Sequence, residues 1–184
     1  LIIRDLYQFK PPRPFSPGGE ISGTIEALGE DVTGFAIGDR VICGLGSGGL
    51  QEKVAVAAAR LFRVPDDIDL VQASALLMTY GTTIHGLKDR GGIAQGETVL
   101  VLGAAGGVGL SAVELAKAYG CRVVAAVSSE EKGEVARRAG ADDVVVYPRA
   151  PFDKDQSKAL AQAFKDAVGP KGADIVYDIA GGDY

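Results

Sequence analysis

Residues 99–109 constrain the fold more than any other stretch. Four aliphatic residues, Val99 to Leu102, run straight into Gly103, Ala104, Ala105, Gly106, Gly107, Val108 and Gly109. The apolar run reads as a strand of a parallel sheet, buried on both faces. Leu110, Val113, Leu115 and Ala116 then recur at helical spacing and form one apolar stripe. The glycines between permit a tight turn and let backbone come close to a ligand or to the strand below. Backbone N–H groups opening that helix would face a phosphate, whose negative charge the helix dipole favours. Strand, glycine turn and helix in this order are the context that a dinucleotide-binding fingerprint requires. The spacing Gly103-x-x-Gly106-x-x-Gly109 departs from the commoner G-x-G-x-x-G, so a purely structural turn is the alternative.

The composition narrows the class of function. With 184 residues, 47% of them hydrophobic, the chain can form one full domain or two partial ones. A net charge of −5 leaves no basic footprint for nucleic acid. No apolar run approaches the ~20 residues of a membrane span, and the first residues do not read as a signal peptide. Neither nucleic acid nor a membrane is an expected partner. Cys43 and Cys121 lie far apart and form no CxxC pair, which fits a reduced, cytoplasmic compartment. The chain starts at Leu1 and ends at Tyr184 just past an apparent strand, so it reads as a piece of a longer protein.

Taken in order, Pro11, Pro12, Pro14 and Pro17 exclude a regular helix or central strand from residues 1–17. Strand-like runs follow at residues 20–28, 39–43 and 51–57, with Gly29, Gly34 and Gly38 between them. They predict a small antiparallel β-barrel or sandwich. Residues 69–78 have helical composition, residues 79–83 break it, and residues 84–89 read as a second helix. Beyond the central motif, strands at residues 122–127, 143–146 and 173–178 alternate with helices at residues 130–139 and 156–168. That alternation makes right-handed βαβ units and a parallel sheet. A complete doubly wound dinucleotide domain has about six strands, of which this chain carries roughly the first four.

In NAD-binding versions an acidic residue about 20 positions past the glycines holds the ribose hydroxyls. Here the second strand ends at Val127 and Ser128, Ser129, Glu130, Glu131 and Lys132 follow. The strand-end position is a serine. Glu130 and Glu131 come too late, and Ser128-x-x-Glu131 reads as a capping box. Ser129 and Lys132 offer a hydroxyl and a charge to a 2′-phosphate, which favours NADPH over NADH. A solvated helix lysine is the plainer reading of Lys132.

A catalytic zinc needs about three protein ligands. Cys43, His85 and Cys121 lie on different elements without ligand spacing, so no metal is assigned. Tyr7, Tyr80 and Thr82 are hydroxyls in irregular segments that could line a cleft or serve structure alone. Tyr147 closes the third strand, at the sheet end that faces a nucleotide. No residue stands out as catalytic.

These residues resemble the medium-chain dehydrogenases/reductases, and among them the zinc-independent, zeta-crystallin-like quinone oxidoreductases. The resemblance covers essentially the whole chain. It is carried by Pro17-Gly-Gly-Glu20-Ile-Ser-Gly23, Gly38-Asp-Arg-Val41, Gly48-Gly-Leu-Gln-Glu52, Thr82, the glycine-rich run from Gly96 to Gly109, and Gly140-Ala-Asp142. It implies an α/β chain in which part of a GroES-like all-β domain, residues 1–75, precedes a Rossmann-type parallel sheet, residues 76–184. Zinc members of the family carry a histidine between the glycine and the glutamate of the first motif. Gly19 stands there here, and the cysteine-rich structural lobe is absent, so the metal-free branch is implied.

The cofactor set implied by motif and resemblance is Thr82, Gly103, Ala104, Ala105, Gly106, Gly107, Val108, Gly109, Ser128, Ser129, Lys132 and Tyr147. Within it Ser129, Lys132 and Tyr147 match 2′-phosphate contacts, and Thr82 a threonine near the nicotinamide. Tyr7 matches a substrate-cleft tyrosine, and Tyr80 joins it as a cleft candidate. Family members also have an active-site Asn and Asp upstream of Leu1. Downstream of Tyr184 they have further strands and an edge strand that forms a homodimer. The function implied is NADPH-dependent, metal-independent hydride transfer to a quinone or similar conjugated carbonyl in a dry cleft. An enoyl, alkenal or enoyl-CoA reductase of the same superfamily, or a non-enzymatic NADPH-binding protein, are the alternatives.

Overall fold

The computed structural model describes residues 1–148 and 151–181. The chain divides into two units, Leu1–Met78 and Thr79–Tyr184.

In the first unit, β1 (Glu20–Thr24), β2 (Arg40–Gly44) and β3 (Phe62–Arg63) form an antiparallel sheet in that order. Ile21 pairs with Cys43, and Gly23 with Val41. A small core forms where Ile42 meets Val64 and Ala73, with Leu70 and Leu77 packed against it. Ala73 belongs to the single-turn helix α1 (Leu70–Ala73). Its start is fixed by the Asp69 carboxylate, which accepts the N–H groups of Val71 and Gln72 at 2.9 and 3.1 Å. Residues 1–17 hold one 3₁₀ turn, Ile2–Arg4, and otherwise irregular backbone.

One expected strand is absent. Residues 51–57 run as irregular backbone, and β3 forms further on instead. Alternating side chains do not make a strand without a hydrogen-bonding neighbour. Val54 and Val56 instead line a cleft of ≈ 980 Å³ together with Ile21, Val41 and Leu61.

The expected helix break at residues 79–83 is absent too. Helix α2 (Leu76–Ile84) runs through them and continues as a wider π turn, His85–Arg90; the break falls at Ser74 and Ala75. Gly81 and the threonines each cost a helix less than about 1 kcal/mol. Packing against the second unit's core offsets that, and the Thr83 hydroxyl bonds back to the Thr79 carbonyl at 2.9 Å.

In the second unit β4 (Thr98–Leu102), α3 (Gly107–Ala118), β5 (Arg122–Val127), α4 (Glu130–Arg138), β6 (Asp143–Val146), α5 (Lys154–Val168) and β7 (Ile175–Asp178) alternate. All four strands are parallel, in the order β6-β5-β4-β7. Val99, Val101, Val123, Ala125 and Val127 share one core with Ala112, Val113 and Ala116 of α3 and Ala136 of α4. Leu100, Leu102, Val124, Ala126 and Val145 share the other with Leu160 of α5. Both faces being covered, β4 and β5 are apolar throughout after Thr98 and Arg122. The strand order reverses at β4, and ligands of such sheets bind outside the carboxyl ends at the reversal.

Candidate functional site

The carboxyl end of β4 opens into the glycine turn. The N–H groups of Gly103 and Ala104 both donate to the Ala126 carbonyl, at 3.1 and 3.2 Å, which ties the turn to β5. Gly103 takes φ +75°, a conformation that side chains disfavour. Gly106 is the N-cap of α3, and no side chain caps this helix. The opening N–H groups of Gly107, Val108 and Gly109 therefore have no intrahelical acceptor, and the helix dipole adds partial positive charge beside them. Gly106 and Gly107 are exposed. A Cβ on Gly109 would fall onto the Gly103 carbonyl oxygen and within 2.7 Å of the Ala104 Cα. Only glycine there allows the turn to close so tightly. Ala104 is fully buried with its N–H on the Ala126 carbonyl, so it shapes the turn.

A second turn leaves the same end of the neighbouring strand. Ser128 follows β5, and the Ser129 hydroxyl caps α4 by accepting the Lys132 N–H at 3.3 Å. The capping residue is thus Ser129, one position later than the expected Ser128, because β5 runs to Val127 and α4 starts at Glu130. Ser128 instead takes the Lys132 ammonium on its hydroxyl, at 2.9 Å. Ser128, Ser129 and Lys132 are gathered in one place. No carboxylate occupies the strand-end position; Glu130 and Glu131 lie in the first turn of α4 and are exposed. Tyr147 leaves the same end of β6, its N–H on the Val127 carbonyl at 2.9 Å. Its side chain is buried in the apolar cluster with Leu102, Val145 and Leu160.

The remaining expected residues lie elsewhere. Tyr7 sits in irregular backbone of the first unit and is 45% exposed. Tyr80 and Thr82 are on α2, not in an irregular segment. Thr82 is exposed. The Tyr80 hydroxyl donates to the Glu114 carboxylate. That hydrogen bond, then burial and the negative charge, push the phenol up to about 12, so it holds its proton firmly. No sequence pattern marks two further residues, Thr83 of α2 and Ser111 of α3, which are fully buried and hydrogen-bonded to each other. Lone hydroxyls on helices carry no pattern from which such a pairing can be read.

His85 is exposed and pairs with Asp89 at 3.1 Å. Cys43 is buried in β2, and the Cys121 thiol donates to the Ala94 carbonyl at 3.2 Å while burial pushes its pKa up. Among the described residues, no group of three or more His, Cys, Asp or Glu side chains is placed to hold a metal ion. No helix among them is long and apolar enough to cross a membrane.

Comparison with known proteins agrees with this architecture. Residues 2–66 match the alcohol dehydrogenase GroES-like domain, and residues 107–184 match the family described as zinc-binding dehydrogenase. Quinone oxidoreductase-like protein 2 of Rattus norvegicus is 38% identical over 184 residues, covering 100% of this chain and 50% of that protein. Escherichia coli quinone oxidoreductase complexed with NADPH superposes with a TM-score of 0.83 at 29% identity, over 96% of this chain and 52% of that one. A mycobacterial protein complexed with NADPH gives 0.79 at 34% identity, over 95% and 53%. The chain spans about half the length of the curated relatives it matches. With both domain matches in order along one chain, it belongs to the medium-chain dehydrogenase/reductase superfamily, in its quinone oxidoreductase-like branch.

Proposed function

We propose that the protein binds NADPH and reduces a quinone or a similarly conjugated carbonyl compound without a metal ion. One observation carries this: at the same end of neighbouring strands, an uncapped helix start stands beside a serine–lysine cluster that has no strand-end carboxylate. The opening amides of α3, approached over Gly106 and Gly107, suit a pyrophosphate. Lys132, with the hydroxyls of Ser128 and Ser129, suits a 2′-phosphate through charge-assisted hydrogen bonds. A carboxylate at the end of β5 would repel that group. Its absence removes the main discriminator in favour of NADH.

Bound NADPH would supply the hydride. The chain's own residues hold and orient it: Gly103 to Gly109 through backbone, Lys132 through charge, Thr82 on the nicotinamide side and Tyr147 at the adenosine end. Tyr7 and Tyr80 are the substrate-side residues of this reading. Tyr80 contributes shape there and not a proton, since its hydroxyl is committed to Glu114. Quinones accept hydride readily, so water suffices as the proton source. The family resemblance adds a homodimer as the working form, and the unpaired Cys43 and Cys121 suit a reduced, cytoplasmic compartment.

The test is NADPH oxidation by the intact protein with 1,4-benzoquinone, with and without a chelator, and with NADH in parallel. Turnover that resists the chelator and prefers NADPH is expected. Equal use of NADH would defeat the assignment of Lys132, and loss of turnover on chelation would defeat metal independence.

A further inference from the structure

Thr83 and Ser111 are the two fully buried polar side chains among the described residues, 0% and 1% exposed. They meet between α2 and the start of α3, Oγ1 to Oγ at 2.7 Å. Two carbonyls face them, those of Thr79 and Val108, and each hydroxyl lies within 3.3 Å of both. Two protons serve this cluster. In one arrangement Thr83 donates to the Thr79 carbonyl on its own helix, at 2.9 Å, and Ser111 donates to Thr83. In the other, Ser111 donates to the Val108 carbonyl, at 2.9 Å, and Thr83 donates to Ser111. Either way one hydrogen bond crosses between the helices and no buried donor is wasted.

Such a pair is a poor device for stability, because the hydrogen bonds do little more than offset the cost of burying the hydroxyls. Valine and alanine fill the neighbouring core and would fit here. What hydroxyls add is direction. Two neighbouring contacts share that role. The Thr79 methyl packs where a Cβ on Gly107 would come within 3.1 Å of it, and Tyr80 reaches along α3 to Glu114. Helix α2 is therefore registered on the turn that presents the amides of Gly107 and Val108. Thr82, next to Thr83, lies exposed on the same helix.

Resting on the NADPH reading, we propose that Thr83 and Ser111 form a positioning pair. The pair fixes the phosphate-binding turn of α3 against the helix that carries Thr82, and so sets the distance between the pyrophosphate and nicotinamide ends of the bound cofactor. Neither residue touches the cofactor.

The test compares T83V, T83S and S111A with the wild type in the intact protein. It reads NADPH affinity by nicotinamide fluorescence, single-turnover hydride transfer to benzoquinone, and thermal midpoint. T83V is expected to melt within about 4 °C of wild type, a shift equivalent to one hydrogen bond or less. Its NADPH affinity should fall about fivefold, with slower transfer, and T83S should restore both. S111A removes the other hydroxyl, should reproduce the loss, and serves if T83V does not fold. Variants that lose stability alone, or a T83S no better than T83V, would overturn the proposal while leaving the cofactor reading intact. A wild type that binds no NADPH would instead overturn both.

Discussion

Asp142 joins three elements with one carboxylate. It accepts the Lys117 ammonium at 2.8 and 2.9 Å and the Val123 N–H at 2.7 Å, tying the end of α3 to β5 and to the turn before β6. Burial works to raise its pKa, but the Lys117 ammonium, the Val123 N–H and the Arg122 charge outweigh it and hold the carboxyl below its ordinary value. The folded state thus favours the charged form. Its contribution is fully present above the ordinary Asp pKa of about 4 and is lost as pH falls through the lower folded value. Asp142→Asn removes the charge and keeps an oxygen for Val123. Both partners are over a third exposed, so the cost at pH 7 should be about 1 kcal/mol or less after screening by water. Thermal melts should separate wild type from variant at pH 7, and the gap should shrink as pH falls below the ordinary Asp value of about 4; a gap that stays undiminished there would rule out this linkage. Such a role is hard to read from sequence, because the partners lie 25 and 19 positions away. The same holds for Tyr80, whose proton is committed to a carboxylate 34 positions on.

Helix α4 shows what local patterns settle and what they leave open. Both Ser128-x-x-Glu131 and Ser129-x-x-Lys132 satisfy the spacing of a cap, and only the point where β5 stops decides between them. Ser129 has the extended backbone of an N-cap, φ −161° and ψ 158°, and so takes the structural role. Lys132 has its backbone N–H in the cap and its ammonium on Ser128, free to exchange that hydroxyl for a stronger phosphate partner. The two residues should therefore separate under mutation. Ser129→Ala should cost about 1 kcal/mol of stability, seen as a lowered melting temperature. Lys132→Ala should leave melting nearly unchanged and weaken NADPH about tenfold, with NADH unaffected, as expected for losing one charge-assisted hydrogen bond. If Lys132→Ala weakened both cofactors alike, its charge would be acting on the pyrophosphate or on the fold, not on the 2′-phosphate.

Across the whole molecule, the two units differ in how much of them is local. In the second unit each strand is joined to the next in sequence through one helix, and β4, β5 and β6 are apolar after their first residue, so β5 and β6 have the limits their sequence indicates. In the first unit a strand exists only if a distant run pairs with it. Residues 51–57 alternate and find no partner, whereas Phe62 and Arg63 pair with Ile42 and Val41. The glycine turn was legible because a helix start is a local object. The buried hydroxyls of Thr83 and Ser111 were not, because only packing brings them together. This contrast locates a test of the cofactor site. Uncapped amides at a helix start exchange freely until a ligand accepts them, whereas strand amides exchange only when the strand opens. In short-pulse deuterium labelling, saturating NADPH should slow exchange at Gly107, Val108, Gly109 and the Ser129–Glu130 amides. Within the same pulse, the paired amides of β1 and β2 should not change. Slowing spread evenly over both units, with none concentrated at residues 107–109, would mean that the dinucleotide is held somewhere other than the start of α3.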